Sequence, residues 1–150
     1  MICYLDTSAL VKLYVEEAGS KQVKDCAQKS LLVATSRVAY AEARSAFARA
    51  WREDVLATSN YREAVSYFKE EWPTYFALDV SDSVLQRLDT IIEKYPLRGF
   101  AALHLASAMT LAKRFMHEEM IVGCWDARLW DCFQQEGFTL IPAKNPGKTQ

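Results

Sequence analysis

The sequence has no long apolar run, no marked excess of either charge and no paired-cysteine motif. Its apolar stretches are far shorter than the roughly 20 residues that cross a bilayer, so we expect no membrane segment. The N-terminus has no basic region and meets Asp6 at once, so we expect no signal peptide and a cytoplasmic location. Four cysteines without CxxC pairs or zinc-finger histidine spacing predict reduced, mostly buried thiols.

The composition is that of one soluble domain with nearly balanced charge. Of 150 residues, 51% are hydrophobic and 25% charged, enough to build a sizeable core. The net charge of −1 disfavours a high-affinity, non-specific nucleic-acid binder. It is compatible with an enzyme that touches RNA locally, through a few arginines and a metal ion.

Short apolar runs alternate with stretches of helical periodicity. Strands are predicted at 2–5, 31–34, 75–78, 120–124 and 138–141. Three helices are predicted to begin at caps: one at Thr7 or Ser8, one that runs from Thr35–Ser36 to 54, and one at Ser81. Further helices are predicted at 19–29, 58–72 and 99–116, with a short one before the last strand. This order predicts an α/β, three-layer domain over 1–142, with a mainly parallel four- to five-stranded sheet flanked by helices. Residues 143–150 are expected to form a mobile tail.

Three acidic residues are predicted near the carboxyl ends of strands. Asp6 follows the first strand, Asp126 follows the fourth, and Glu42 lies among alanines in the helix after the second. Chemistry in open parallel sheets gathers at this edge. Clustered carboxylates repel one another unless a cation lies between them, and Mg²⁺ or Mn²⁺ prefers such oxygen ligands. Taken singly, each aspartate can be a helix cap and the glutamate a solvated surface group.

Two strings carry a resemblance to a known family. Leu5-Asp6-Thr7-Ser8-Ala9-Leu10 and Arg98-Gly99-Phe100-Ala101-Ala102-Leu103-His104-Leu105-Ala106 resemble the PIN-domain family, specifically its VapC-type toxins. Glu42 and Asp126 match in order and spacing, so that the likeness extends to about residue 142.

The resemblance implies a metal-dependent ribonuclease. It makes Asp6, Glu42 and Asp126 catalytic ligands or water-orienting groups for Mg²⁺ or Mn²⁺, which activates water to attack an RNA phosphodiester. Ser8 would support this site through a hydrogen bond to a ligand or phosphate, although a helix-cap role is the alternative. Arg98 and Arg128 are candidates for RNA or antitoxin contact. The resemblance also implies a homodimer inhibited by a cognate antitoxin.

Ala101 departs from the family pattern. Family members have a metal-binding Asp there, and loss of a ligand should cost at least the roughly 10–100-fold typical of changes around a metal site. We therefore expect weak or absent activity, in either a degenerate homologue or a site disabled by design. The alternative function is a catalytically silent PIN module that binds antitoxin or RNA without cleavage.

His104 follows Ala101 by three residues and is expected near the same crevice. We interpret it as a buried, hydrogen-bonded histidine, with a catalytic base as the alternative. Two other enzyme classes with an Asp after the first strand fit poorly. A haloacid-dehalogenase-type phosphatase needs a second Asp where this chain has Ser8, and a receiver domain needs an acidic pair that the chain lacks.

Overall fold

A computed structural model describes residues 1–148 as an α/β domain. Within this range the strands are β1 (Ile2–Leu5), β2 (Leu32–Ser36), β3 (Phe76–Leu78), β4 (Met120–Gly123) and β5 (Thr139–Ile141). The helices are α1 (Thr7–Leu10), α2 (Ser20–Lys29), α3 (Ala39–Arg52), α4 (Thr58–Glu71), α5 (Asp82–Lys94), α6 (Gly99–Arg114) and α7 (Ala127–Gln135). Short 3₁₀ turns at Val11–Leu13 and Trp72–Thr74 follow α1 and α4. All strand pairings are parallel, which confirms the predicted fold class.

The central strand β1 divides the core into two halves. Ile2 and Tyr4 pack on one face of the sheet, against residues of α5, α6 and α7. Cys3 and Leu5 pack on the opposite face, against α1, α2, α3 and α4. Because successive strand residues point to opposite faces, a fully apolar β1 is buried on both sides. The result is the three-layer arrangement that the sequence predicts.

The strand order β3-β2-β1-β4-β5 places a topological switch point beside β1. The chain builds outward from β1 through β2 and β3, then returns to add β4 on the other side of β1. The Asp6 N–H donates to Gly123 O at 3.1 Å, so the ends of β1 and β4 lie side by side. Crevices at such points are the usual binding sites of open parallel sheets.

Two helix caps differ from the prediction. Asp6, rather than Thr7 or Ser8, caps α1 by accepting a hydrogen bond from Ala9 N at 2.9 Å. Thr35 and Ser36 belong to β2, and α3 begins only at Ala39. The Thr35 hydroxyl donates to the carbonyl of Leu5 at 2.6 Å, a tertiary contact between strands that a local capping pattern does not reveal.

The predicted mobile tail is tethered within the described residues. Asn145 is buried, and its side-chain amide donates to Ala127 O at 3.0 Å and to Asp131 Oδ1 at 2.7 Å. These contacts hold the segment against α7. Residues 149 and 150 lie outside the described range, so for them mobility stays a prediction.

The cysteines follow the compositional expectation. Cys3, Cys26, Cys124 and Cys132 are buried free thiols. Over residues 1–148, no helix combines the length and the apolar character needed to cross a membrane.

Gly19 allows α2 to begin directly against Trp125. Its φ is +91°, and a Cβ there would lie 2.5 Å from the Trp125 ring. Gly137 has a similar φ of +85°, but a Cβ there would meet nothing within 4 Å. A substitution at either glycine would therefore strain the backbone, but only a substitution at Gly19 would also cause a steric clash.

We expect Gly19→Ala to destabilise the protein more than Gly137→Ala. Both variants carry the cost of a left-handed alanine, about 1–2 kcal/mol, and Gly19→Ala adds an overpacking cost of about 1–3 kcal/mol. Urea denaturation of both variants and the parent measures the difference. Equal losses would mean that the contact with Trp125 contributes nothing.

Candidate active site

A cleft of about 740 Å³ opens at the carboxyl ends of β1 and β4. It brings together most of the residues that the sequence singled out. The lining includes Asp6, Ser8, Glu42, Arg98, Ala101, His104 and Asp126, with Thr7, Lys12, Glu17 and Phe100 around them. Arg128, the second residue of α7, is exposed and does not line the cleft.

Asp6 forms the buried floor of the cleft, with 3% of its surface exposed. Its carboxylate accepts hydrogen bonds from Ser8 Oγ at 2.7 Å, Ala9 N at 2.9 Å and Cys124 Sγ at 3.3 Å. Burial raises the pKa of Asp6, and the hydrogen bonds offset only part of that rise. The folded structure therefore disfavours the ionised form of the Asp6 carboxyl group.

Glu42 lies in a hydrogen-bond network that joins three elements. Its Oε1 accepts from the Thr7 hydroxyl at 2.6 Å and lies 3.0 Å from His104 Nε2. Burial acts to raise the pKa of Glu42, but the hydrogen bonds from His104 and Thr7 outweigh it and the pKa is lowered. His104 is buried, as predicted, and its Nδ1 lies 2.9 Å from the Tyr4 hydroxyl. With a proton on Nε2, His104 can donate to Glu42 while Nδ1 accepts from the Tyr4 hydroxyl, and the Thr7 hydroxyl lies 3.0 Å from the same Nε2.

Asp126 completes the acidic wall at the exposed edge of the cleft. Its Oδ1 accepts from Leu129 N at 3.0 Å, so the residue caps α7 as well as lining the cleft. Ser8 Oγ accepts from the adjacent Trp125 N at 2.8 Å while donating to Asp6. Ser8 thereby links the main-chain segment that carries Asp126 to the carboxylate of Asp6.

Ala101 lies in the first turn of α6 on the wall of the same cleft. Among residues 1–148, no three Asp, Glu, His or Cys side chains are grouped closely enough to hold a metal ion. The carboxylates present still have the chemistry that Mg²⁺ or Mn²⁺ favours, since Mg²⁺ usually takes one or two carboxylates and completes its shell with water and phosphate. The donors fit such an ion in kind, although within residues 1–148 no three of them are grouped closely enough to hold it together.

Lys12 and Glu17 also line the cleft, and no motif in the sequence assigns a role to either. Lys12 Nζ lies 2.8 Å from Glu17 Oε1 and 5.0 Å from the centre of the Trp125 ring. The only sequence feature that could place Lys12 at the cleft is its position four residues after Ser8, the spacing that puts two helical side chains on one face. Thr7 belongs to the family-like string at residues 5–10. Its hydrogen bond to Glu42 could not be predicted from that string, because it depends on the packing of α1 against α3.

Comparison with curated proteins identifies two relatives that match over nearly their full length. They are ribonuclease VapC45 and ribonuclease VapC49, from two strains of Mycobacterium tuberculosis. Each is 30% identical over 143 residues, which cover 95% of this chain and 96% of the relative. No family model matches the chain.

Two solved structures share the fold. One is a toxin–antitoxin complex from Klebsiella pneumoniae, with a TM-score of 0.61 and 16% identity over 85% of this chain and 89% of that one. The other is VapBC2 from Rickettsia felis bound to a DNA fragment from its promoter, with a TM-score of 0.61 and 12% identity over 93% and 97%. At these identities the likeness supports the fold alone.

The opposite pKa shifts of Asp6 and Glu42 predict opposite effects on stability. In metal-free protein at neutral pH, Asp6→Asn should raise the free energy of unfolding, because it removes a charge that burial disfavours. Glu42→Gln should lower it, because it removes a charge that the fold favours. Urea denaturation in EDTA measures both. A loss of stability in Asp6→Asn would contradict the first expectation.

Both differences should shrink as the solution is acidified. The stabilising contribution of Glu42 is present above its unfolded pKa and is lost as the pH falls through the lower folded pKa. The penalty from Asp6 disappears below its unfolded pKa, where the carboxyl is protonated in both states. Differences between parent and variants that do not depend on pH would point to packing rather than charge.

Proposed function

We propose that this chain, which belongs to the VapC ribonuclease family, is a metal-dependent endoribonuclease weakened by Ala101 and the toxin of a toxin–antitoxin pair. The observation that carries the proposal is the convergence of Asp6, Glu42 and Asp126 on one cleft at the topological switch point. These acids come from three separate segments, and only the folded sheet brings them to a common wall.

In this proposal each acid has a role that fits its surroundings. Asp6 is the buried ligand, already oriented by Ser8 and Cys124. Glu42 is held ionised by its hydrogen bonds to Thr7 and His104, ready to bind the cation or orient a water. Asp126 uses one oxygen as the cap of α7 and turns the exposed side of its carboxylate to the cleft. Bound Mg²⁺ or Mn²⁺ would supply an activated water and neutralise charge on the phosphate.

Cations at the cleft would bind the RNA. Arg98 is exposed and lines the cleft just before α6, where its guanidinium can donate two parallel hydrogen bonds to a phosphate. Arg128 is also exposed but lies outside the cleft lining. We therefore assign substrate contact to Arg98 and leave Arg128 to the protein partner.

The partner in this proposal is an antitoxin with a basic segment. A cleft whose walls carry the carboxylates of Asp6, Glu17, Glu42 and Asp126 suits an arginine that forms charge-assisted hydrogen bonds in a partly dry site. A homodimer is proposed from the family resemblance. The Klebsiella pneumoniae structure with this fold is a toxin–antitoxin complex, and we infer a partner of the same kind for this chain.

A silent binding module is the second candidate function. Its support is the lack of any three-residue metal-binding group over residues 1–148, together with Ala101 in the cleft wall. Such a module would use the same carboxylates to hold an antitoxin without cutting RNA. The two functions differ in what a restored acid should do.

We expect Ala101→Asp to restore cleavage. The added carboxylate would face the cleft from the first turn of α6 and supply the missing ligand, which should raise activity by at least about 10–100-fold. Cleavage of a mixed RNA pool with Mn²⁺, with EDTA as the blank, measures the gain. Isothermal titration of Mn²⁺ into the same proteins measures binding without turnover.

Ala101→Asn is the matched control, because it adds the same bulk without the charge. Cleavage and tighter Mn²⁺ binding by Ala101→Asp alone would support the enzyme. If Ala101→Asp binds Mn²⁺ no better than the Asn form and leaves the RNA intact, the silent module becomes the better description.

Arg98→Gln should weaken RNA binding, whereas Arg128→Gln should not. Each variant removes one exposed positive charge, but only Arg98 lines the cleft. Loss of one phosphate contact should reduce the slope of log K against log salt by about 0.7. Fluorescence anisotropy with labelled single-stranded RNA in EDTA measures both. Equal effects would argue against a specific contact from Arg98.

A further inference from the structure

A second groove, lined by α5 and α6, has a different electrostatic character from the acidic cleft. Its volume is about 660 Å³. The charged side chains that line it are the cations Arg87, Lys94, Lys113 and Arg114 and the single carboxylate Glu136. Four cations against one carboxylate leave three positive charges in excess, in a chain whose net charge is −1.

The carboxylates nearby do not cancel this excess. Glu136 is already engaged, with its Oε1 3.4 Å from Lys94 Nζ and 3.1 Å from the Tyr95 hydroxyl. The other acids of α5 do not line the groove; they are Asp82, Asp89 and Glu93. The helical spacing of α5 places these three acids on a stripe beside the groove lining rather than within it.

Internal ion pairs do not account for these cations. Within residues 1–148, Lys94 is the only one of the four that lies within 4.0 Å of a carboxylate oxygen. Arg114 lies over the Phe76 ring, with its Cζ 6.0 Å from the ring centre, an arrangement that leaves its charge intact. Arg87 is partly exposed and Lys113 is exposed. Their charges are available to an external ligand.

The uncharged lining favours a phosphate backbone over bases. Hydroxyl and amide groups from Ser83, Gln86 and Thr90 can donate to phosphate oxygens, whereas the Thr110 hydroxyl already donates to the Ala106 carbonyl at 2.8 Å. The groove lining over the described residues holds no aromatic ring on which a base could stack. On α5 the lining runs from Ser83 to Lys94, which at 1.5 Å per residue is about 17 Å, long enough for several successive phosphates.

We propose that this basic groove binds the sugar–phosphate backbone of single-stranded RNA outside the catalytic cleft. The proposal rests on the proposed ribonuclease function. The helix α6 contributes to both sites, since its first turn lines the cleft and its residues from Met109 to Arg114 line the groove. The groove would hold the strand without reading its sequence, and the cleft would hold the phosphate to be cut.

The test is RNA binding by Arg87→Gln/Lys113→Gln. Arg52→Gln/Lys29→Gln is the matched control, since it removes one arginine and one lysine that are exposed and line neither site. Fluorescence anisotropy would follow a labelled 2′-O-methyl oligoribonucleotide of mixed sequence, with EDTA present so that nothing is cut. Thermal unfolding would confirm that both variants fold.

The groove variant should bind at least about tenfold more weakly at low salt, and its salt slope should fall by about 1.4, as for two lost phosphate contacts. The control should match the parent. Equal losses in the two variants would overturn the proposal. Binding of poly-glutamate, but not RNA, through Arg87 and Lys113 would also overturn it and assign the groove to an acidic peptide. A loss confined to a DNA oligonucleotide would overturn the RNA assignment.

Failure of this proposal is distinguishable from failure of the proposed function. If Ala101→Asp cleaves RNA and the groove variant binds RNA normally, the groove proposal is wrong and the ribonuclease proposal stands. If RNA binding depends on the groove but Ala101→Asp does not cleave, the ribonuclease proposal is wrong and the groove proposal stands.

Discussion

The carboxylate of Asp6 has to be held at the end of the central strand, in a place from which water is almost excluded. Burial of an ionised carboxylate is costly unless donors surround it, and Ser8, Ala9 and Cys124 supply those donors. Ser8 belongs to α1, while Cys124 follows β4, so this one group ties together the elements on both sides of the switch point.

The second acid depends on contacts between layers. Glu42 comes from α3 on one side of the sheet, whereas His104 comes from α6 in the opposite layer. The two meet beyond the end of β1, where Tyr4 holds the far side of the imidazole. Because buried hydrogen bonds fix these side chains in place, the cleft is organised before any ligand arrives, and a ligand need not bear the cost of ordering it.

Much of the fold could be predicted from sequence because the apolar runs and helical periodicities are local. Asp6 and Asp126 could also be predicted from the sequence, since Asp6 directly follows β1 and Asp126 comes three residues after the end of β4. The local capping pattern at Thr35 and Ser36 predicts a helix cap, whereas both residues belong to β2 and Thr35 donates to the Leu5 carbonyl of the neighbouring strand. The basic groove depends on tertiary structure in another way, because its cations come from both α5 and α6 and meet only when the two helices pack together.

Ala101 stands where the family resemblance implies a metal-binding Asp, and its small side chain leaves the surrounding scaffold intact. Alanine is the best helix former, so α6 retains its first turn, and the contacts of Asp6, Glu42 and Asp126 do not involve the Ala101 side chain. One fewer carboxylate also lessens the mutual repulsion of the acids when no cation is bound. Catalysis needs enough ligands to hold a cation in place, whereas an arginine from an antitoxin needs only a carboxylate within reach. In the proposed function, Ala101 therefore weakens cleavage far more than partner binding.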